Sequence, residues 1–328
     1  MRISVLAACA VAVASMAGCS AGRTPALPAA TPSPSTSAAP TSSASPLPGC
    51  NDDNQTRVES YAPAGSLPAP TDLPANSTMA VIRKRGRLIA AVSADNLLFG
   101  FRDPVRNQLE GFDIDMIRAV ARAIFGDVGD IDAKIEYRVV NFAQRIPALQ
   151  SKQVDIVADI MTINCRRWSQ LAFSSVYYQA SQQVLVPKGS GLNIDKLAGK
   201  QVCSAKGSTG SQNLKKYPKI KAVLVENISD CMVLFQQGSV AGVISDNTVV
   251  AGFASQDRYA EVSPRILTNE PYGMGFNKKD IDFTRFVNAL LAQMRADGSW
   301  VKIYDTWLRP TLGPISGPPP AVYGRLPA

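Results

Sequence analysis

The stretch Asp155-Ile-Val-Ala-Asp-Ile-Met-Thr-Ile-Asn-Cys-Arg-Arg-Trp-Ser-Gln-Leu-Ala-Phe-Ser-Ser-Val-Tyr-Tyr178 governs the interpretation of the whole chain. Its first half, DIVADIMTI, is a mostly apolar run rich in branched side chains, which predicts a buried strand. The polar side chains that end this run are Thr162, Asn164, Arg166 and Arg167. Hydroxyl, amide and guanidinium groups therefore gather at the carboxyl end of a strand, where open α/β sheets bind ligands. On composition alone, a strand followed by a solvated charged turn explains the stretch equally well.

The pattern Met161-Thr-Ile-Asn-x-x-Arg167, followed by Phe173-Ser174 and Tyr177-Tyr178, closely resembles a segment of polar amino-acid-binding proteins, the solute receptors of ABC importers. That family writes the segment T-I-T-x-x-R…F-S-x-x-Y, and its arginine binds the ligand's α-carboxylate through two hydrogen bonds. The resemblance assigns this role to Arg167, since a planar guanidinium suits a planar carboxylate. Thr162 matches the family's first threonine, and Asn164 replaces its second.

The N-terminus has the features of an export signal. Arg2 precedes a small apolar run that ends at Gly18-Cys19. This predicts a signal peptide over residues 1–18, too short to span a membrane. Met16-Ala-Gly-Cys19 looks like a bacterial lipobox, which implies a lipid on Cys19 and a location on the extracytoplasmic face of the cell membrane. The alternative is ordinary secretion with an unlipidated Cys19.

Composition distinguishes three segments that flank the folded region. Residues 19–48 are rich in Ala, Pro, Ser and Thr and cannot bury enough surface to fold, so we expect a tether. Residues 49–78 gain a cysteine and a tyrosine, and we expect an extension packed on the first lobe. Residues 310–328 form a Pro-rich tail.

Cysteine and histidine content bounds the chemistry. With Cys9 in the signal peptide and Cys19 assigned to the lipid, Cys50, Cys165, Cys203 and Cys231 remain for an oxidising compartment and can pair in three ways. We favour Cys203 with Cys231, which are close in the sequence and both follow the first half of the folded region, and Cys50 with Cys165, which places the extension beside the segment that carries Arg167. The chain has no histidine, which excludes His-based triads and most zinc sites. We expect no metal and no cofactor.

Periodicity in the folded region predicts alternating strands and helices. Residues 88–92 and 133–140 fit strands, whereas residues 113–125, stopped by Gly126, and 145–150 fit helices. This alternation predicts an α/β protein with mostly parallel sheets covered by helices. The resemblance implies the two-lobed periplasmic-binding-protein fold of type II, with two crossing hinge strands at residues 182–187 and 271–276. The expected segments are lobe 1 over residues 79–182, lobe 2 over 183–270 and a return to lobe 1 over 271–309.

Gly111-Phe-Asp-Ile-Asp115 and Asn141-Phe-Ala-Gln-Arg-Ile-Pro-Ala-Leu-Gln150 extend the resemblance at the expected distances. Phe142 matches the family's aromatic wall, which packs on the ligand's aliphatic carbons. Its alternative is a plain core phenylalanine. Arg145 matches an arginine that reaches the ligand's side-chain carboxylate in members that bind glutamate and aspartate. Its alternative is a solvated arginine at a helix start.

Two departures from the family narrow the ligand. Ser93 stands where binders of lysine and arginine carry an acid, so a basic ligand lacks its partner. Some glutamate binders have a second arginine at that position. Because Ser93 cannot take its place, we expect tolerance among Asp, Glu and their amides rather than strict selection of glutamate. Asn96 falls where many members have a second aromatic wall, and we include it among the ligand contacts. Phe99 or Phe101 is the alternative for that wall, or the wall is missing.

The second lobe contributes a turn and an acid. Leu197 to Ser211 resembles the family's D-L-x-G-K-x-V segment with its Gly-Ser-Thr turn, which makes Ser208 and Thr209 ligand contacts. Such a turn exposes free N–H groups at a helix start, although alone it is more often a helix cap. Asp246 matches the carboxylate that binds the ligand's ammonium. Its alternative is the N-cap of the following helix.

Together these matches imply a lipid-anchored, monomeric receptor that binds Asp, Glu, Asn or Gln between two lobes and delivers it to an ABC permease. A sensor that reports amino-acid supply to a membrane partner fits equally well. An exported enzyme on the same scaffold, such as a dehydratase, requires an added catalytic acid or domain, so we expect no catalysis. The net charge of +8 is spread over scattered residues and does not indicate nucleic-acid binding.

Overall fold

In the computed structural model, which describes residues 50–52 and 54–327, the chain folds into two lobes, each built on its own sheet. The signal peptide, Cys19 and the tether lie outside the described residues. The helices are α1 Thr78–Arg85, α2 Phe112–Phe125, α3 Arg145–Gln150, α4 Cys165–Gln170, α5 Thr209–Asn213, α6 Ile228–Gln236, α7 Asn247–Gln256, α8 Ile281–Ala296, α9 Ser299–Trp307 and α10 Arg309–Leu312. The strands are β1 Leu88–Val92, β2 Asp95–Asn96, β3 Gly100–Arg102, β4 Leu109–Glu110, β5 Ile135–Val139, β6 Ile156–Val157, β7 Leu171–Phe173, β8 Tyr178–Pro187, β9 Gln201–Ala205, β10 Lys221–Val225, β11 Gly242–Asp246, β12 Ala260–Val262, β13 Thr268–Tyr272 and β14 Gly275–Asn277.

The first lobe has a five-stranded sheet in the order β5-β1-β6-β14-β7. Strands β5, β1 and β6 are parallel, as the alternation of strands and helices predicts, and β14 runs antiparallel to its neighbours. Helix α2 buries an apolar face that includes Ile114, Ile117 and Ile124, and it ends at Gly126, whose φ is 85°. A small sheet, β2-β3-β4, lies between β1 and α2 in the chain.

The second lobe has a six-stranded sheet in the order β10-β9-β11-β8-β12, with β13 also paired to β8. Strands β9, β10 and β11 are parallel, and β8 runs antiparallel to β11, β12 and β13. The two-lobed α/β fold predicted from the sequence is therefore confirmed.

Two antiparallel segments connect the lobes. The first part of β8 pairs with β13, from Tyr178 opposite Tyr272 to Gln182 opposite Thr268. The second part of β8 pairs with β11 inside the second lobe. The paired segments thus begin a few residues earlier in the chain than the crossings expected at 182–187 and 271–276. The exact lobe boundaries stay predictions.

The strand expected over residues 155–163 is much shorter than predicted. Only Ile156 and Val157 pair as β6. Ile160 has a φ of 39°, in the left-handed region, which bends the chain out of the sheet. Ile163 then donates its N–H to the oxygen of Pro271 at 2.7 Å. The apolar run remains buried, but its second half follows the hinge strand.

Both predicted disulfides are present, Cys50–Cys165 and Cys203–Cys231. The first fixes the start of the described chain to α4. Beyond it, Trp168 on α4 donates its indole N–H to the oxygen of Glu59 at 2.8 Å. The C-terminal tail reaches the same place, because Arg325 donates to the oxygen of Trp168 at 2.9 Å.

Candidate functional site

Arg167 lies where the two lobes meet. Asn164 is the N-cap of α4 and accepts the main-chain N–H of Arg167 at 3.0 Å. The guanidinium of Arg167 donates to two main-chain oxygens, that of Thr162 in the first lobe at 2.8 Å and that of Gly207 in the second lobe at 3.0 Å. Arg167 is only 2% exposed. Its charged group is therefore buried and oriented by both lobes.

The second lobe can come this close because residue 207 is a glycine. Its φ is 74°, and a Cβ built on it would lie 2.6 Å from the Cα of Ala143 in the first lobe. Any side chain there would push the lobes apart. The described structure thus has the two lobes in direct contact over Arg167.

Arg145 is buried, so a solvated position at the start of α3 is excluded. Its guanidinium donates to the main-chain oxygens of Asp159, at 2.7 Å, and of Phe142, at 3.1 Å. The guanidinium carbon lies 4.4 Å from the centre of the Phe142 ring. Arg145 and Phe142 therefore form one unit, in which the cation covers the aromatic face.

Asp246 ends β11 and is almost fully buried. Although it occupies the N-cap position of α7, its side chain makes no cap hydrogen bond. Instead, it accepts the phenolic O–H of Tyr272 at 2.7 Å, and that hydroxyl also lies 2.9 Å from the Thr248 hydroxyl. Tyr272 belongs to the hinge strand β13. The carboxylate of the second lobe is thus tied to the hinge.

Glu270, which the sequence analysis missed, links several predicted site residues. One carboxylate oxygen accepts the hydroxyl of Thr162 at 2.7 Å. The other accepts from Thr268 and lies 3.4 Å from the amide nitrogen of Gln182, which lies 3.4 Å from the hydroxyl of Thr209. The available signal was an acid within a buried strand, beside Pro271.

Ser208 has a structural role in this arrangement. Its hydroxyl caps α5 by accepting the N–H of Ser211 at 2.9 Å and donates to the oxygen of Ala205 at 2.6 Å. Thr209, the first residue of α5, lies against Gln182 as described above. Of the two predicted contacts on this turn, Thr209 is the one whose hydroxyl joins the cleft network.

Asn96 and Asp159 have buried polar atoms without partners. Within the described residues, both side-chain atoms of Asn96 and both carboxylate oxygens of Asp159 lack a hydrogen bond, as does the amide nitrogen of Asn164. Asp159 is fully buried, with one oxygen 3.9 Å from Nε of Arg145. Such groups need an explanation, for example a bound ligand. Asp159 was not among the predicted site residues, although an acid after a strand was the signal used for Asp246.

The aromatic alternatives to Asn96 have other neighbours. Phe99 is fully buried and packs edge-on against Tyr178 and Tyr272, with ring centres 5.2 and 5.7 Å away. Phe101 packs against Trp307. Phe99 therefore supports the hinge aromatics.

Ser93 donates its hydroxyl to Asp95 at 2.8 Å.

Burial sets the charge properties of the cleft. It raises the pKa of Asp246 to about 8, and the nearby Glu270 charge adds to this rise, whereas the Tyr272 hydrogen bond and the two arginines oppose it. Burial lowers the pKa of Arg167 to about 9, and Arg145 and Arg166 add to the effect. Arg167 and Asp246 each influence the other's pKa, which places the two charges within electrostatic reach.

Two structural features are absent from the part of the chain that the structure describes. Those residues hold no group of three or more Cys, Asp or Glu side chains arranged for a metal ion. None of the described helices combines the length and the apolar character that crossing a bilayer requires.

Known proteins resemble this chain over about two thirds of its length. It is 32% identical over 235 residues to the ABC transporter glutamine-binding protein GlnH of Bacillus subtilis, covering 71% of this chain and 85% of that protein. It is 31% identical over 228 residues to the glutamate-binding protein GluB of Corynebacterium efficiens, covering 66% and 77%. A mutant of ArgBP from T. maritima superposes with a TM-score of 0.63 at 29% identity, covering 70% of this chain and 98% of that one.

A family model matches residues 88–310, which include both main sheets, the hinge strands, Arg167 and Asp246. That segment is about two thirds of the chain. The chain therefore belongs to the bacterial extracellular solute-binding proteins, family 3.

Proposed function

We propose that the protein binds a free amino acid between its lobes, outside the cytoplasm, and delivers it to an ABC permease. The observation that carries this proposal is a buried guanidinium and a buried carboxyl group in the cleft, Arg167 from the first lobe and Asp246 from the second. A zwitterion in a closed, dry cleft needs a cation for its carboxylate and an anion for its ammonium. A ligand with both charges would hold the lobes together, because only the closed form contacts it from both sides.

In this proposal, Arg167 binds the α-carboxylate and Asp246 the ammonium. The hydrogen bonds to the Thr162 and Gly207 oxygens use two of the five N–H donors of Arg167, which leaves donors for a carboxylate. Thr162 and Thr209 complete the hydrogen bonds around the ligand. Asn164 supports the site as the cap of the helix that carries Arg167.

We further propose that the ligand is an acidic or amide amino acid, namely Asp, Glu, Asn or Gln. Arg145 and Phe142 supply a cation and an aromatic face for the ligand's side chain, with Asn96 as a further polar contact. Ser93 offers no acid to a basic ligand. Relatives named as glutamine-binding and glutamate-binding proteins support this ligand class.

The test is a calorimetric and thermal-shift screen of the purified exported protein against the common amino acids. A ligand present at a thousand times its Kd should add about 4 kcal/mol to the free energy of unfolding. Asp, Glu, Asn or Gln should stand out, and Arg167→Ala should lose the response. Arg166→Ala, on the same helix, is the matched control and should keep it. If no amino acid shifts the melt of the native protein, the proposal fails.

Membrane attachment and the absence of catalysis belong to the same proposal. A lipid on Cys19 would hold the receptor beside its permease, and the lipobox-like Met16-Ala-Gly-Cys19 supports such an attachment. In this proposal the receptor acts as a monomer. Cys19→Ala should release the protein from membranes into the medium. Relatives named as binding proteins favour binding without turnover. Nuclear magnetic resonance should show an amino acid unchanged after prolonged incubation with the protein.

A further inference from the structure

Asp159 is a buried carboxylate whose surroundings do not satisfy it. It is 0% exposed, and within the described residues neither of its oxygens accepts a hydrogen bond. The nearest cation is Arg145, whose Nε lies 3.9 Å from one oxygen. Arg145 directs its hydrogen bonds to main-chain oxygens instead, including that of Asp159 itself. Asp159 and Arg145 are thus a loosely coupled ion pair buried within the protein.

Several charged or titratable groups surround Asp159. Arg145 on α3 and Arg167 on α4 favour its ionised form. Asp113 on α2 and Asp95 on β2 oppose it. Tyr177 is a further titratable group near Asp159, and its hydroxyl donates to Asp113 at 2.6 Å. Among these groups, Arg145 is the strongest electrostatic influence in favour of the ionised form of Asp159.

The same guanidinium is the proposed partner of an acidic ligand's side chain. Two arginines in the cleft face three buried carboxylates, and each of the five residues is at most 6% exposed. The residues are Arg145, Arg167, Asp159, Asp246 and Glu270. A zwitterionic amide ligand adds no net charge to this set, whereas an acidic ligand adds one negative charge. Two carboxylates would then compete for Arg145, and the one left without its cation favours its protonated form in a low-dielectric site.

We propose that Asp159 distinguishes acidic from amide ligands: an acidic amino acid binds with uptake of one proton at the Asp159 carboxyl, whereas the matching amide binds without it. This inference rests on the proposed function. The proton comes from solvent and adds to one Asp159 oxygen, so charge is conserved: the ligand brings one negative charge and the proton cancels it. Protonated Asp159 also gains an O–H donor, which it can offer to the ligand's carboxylate.

The electrostatics of the site agree with this geometry. Burial raises the pKa of Asp159 well above its usual range, and the charges of Arg145 and Arg167 oppose this rise. Occupation of Arg145 by a ligand carboxylate would weaken that opposition. Asp246 also titrates, but it meets the ammonium that every amino acid shares. Its contribution therefore cancels when an acid is compared with its own amide.

The experiment measures proton uptake by calorimetry in buffers of different ionisation enthalpy, between about pH 6 and 8. The native exported protein is titrated with Glu and Gln, and with Asp and Asn. Each acid should take up about one proton more than its amide within this pH range. As the pH rises through this range, the affinity for the acid should fall relative to that for the amide by up to about tenfold per pH unit.

Asp159→Asn keeps the shape of the side chain and removes the proton acceptor. It should abolish the difference in proton uptake and strengthen acid binding relative to amide binding at the upper end of the pH range. Asp127→Asn, at an exposed position, is the control and should change neither quantity. Equal uptake for acid and amide by the native protein overturns the inference, even if Asp159→Asn does not fold. Persistence of the difference in Asp159→Asn overturns it as well.

Failure of the proposed function gives a different result. If none of the four amino acids binds at any pH, the receptor assignment fails and the inference falls with it. If acids and amides bind with identical pH dependence, the receptor assignment stands and only the role of Asp159 is refuted.

Discussion

The hydrogen bond between Asp95 and Ser229 crosses from one lobe to the other and allows the closing equilibrium to be tested directly. Asp95 lies on β2 in the first lobe, and Ser229 lies in the first turn of α6 in the second lobe. The Ser229 hydroxyl donates to Asp95 at 2.9 Å, and its main-chain N–H lies 3.3 Å from the same oxygen. A carboxylate at a helix N-terminus is also favoured by the helix dipole.

Ser229→Ala removes the hydroxyl donor but leaves the Asp95 charge and the helix N–H in place. A hydrogen bond to a charged group contributes about 1.5–3 kcal/mol when buried. Both partners are half-buried, so solvent reduces this value to about 1–2 kcal/mol. This free energy belongs to the closed form alone. Since the ligand binds the closed form, its Kd should weaken by about 5- to 30-fold.

The assay is calorimetric titration of Ser229→Ala with each amino acid that binds the native protein. Because Ser229 is not among the proposed ligand contacts, the loss should be the same factor for every ligand. Ser190→Ala, an exposed serine of the second lobe, is the matched control and should retain native affinity. An unchanged Kd in Ser229→Ala would refute the closing argument. A loss confined to one ligand would instead place Ser229 in the side-chain pocket.

Three further predictions follow from the buried charges and the disulfides. Arg145→Ala should weaken Asp and Glu more than Asn and Gln in calorimetry, and equal losses for all four would remove Arg145 from the side-chain pocket. The free energy of unfolding of the empty protein should fall by a few kcal/mol between about pH 5 and 8.5, because burial raises the pKa of Asp113 to about 7 and that of Asp246 to about 8. The folded state then binds more protons than the unfolded state, so this stabilisation is complete below the unfolded pKa near 3.8 and is lost as pH rises through the folded values; urea titrations that show increasing stability over this range would contradict it. Non-reducing peptide mapping should recover Cys50 with Cys165 and Cys203 with Cys231, whereas free thiols or other pairings would contradict the structure.

The sequence predicted features that follow from local periodicity or from the family's motifs. Strand β1 has the predicted bounds and helix α3 begins at Arg145 as predicted, because an apolar pattern of one period continues through each. Strand β6 was predicted too long, since the left-handed Ile160 and the pairing with the hinge segment are tertiary features. Glu270 and Asp159 were missed for a related reason. Their importance depends on partners about a hundred residues away, such as Thr162, or on the loss of solvent when a second lobe closes.

The two proposed ligand anchors differ in what supports them, and this difference bears on how closure is sensed. Arg167 sits on α4, which the Cys50–Cys165 disulfide and the Trp168 contacts with Glu59 and Arg325 hold from outside the cleft. Asp246 is instead hydrogen-bonded to Tyr272 on the hinge strand itself. Arg167, the proposed partner of the ligand's carboxylate, is thus fixed within the first lobe. Asp246, the proposed partner of the ligand's ammonium, is coupled to the hinge strand. A ligand that draws Asp246 towards Arg167 would therefore act on the hinge through Tyr272, so that occupation of the site and lobe closure become one event.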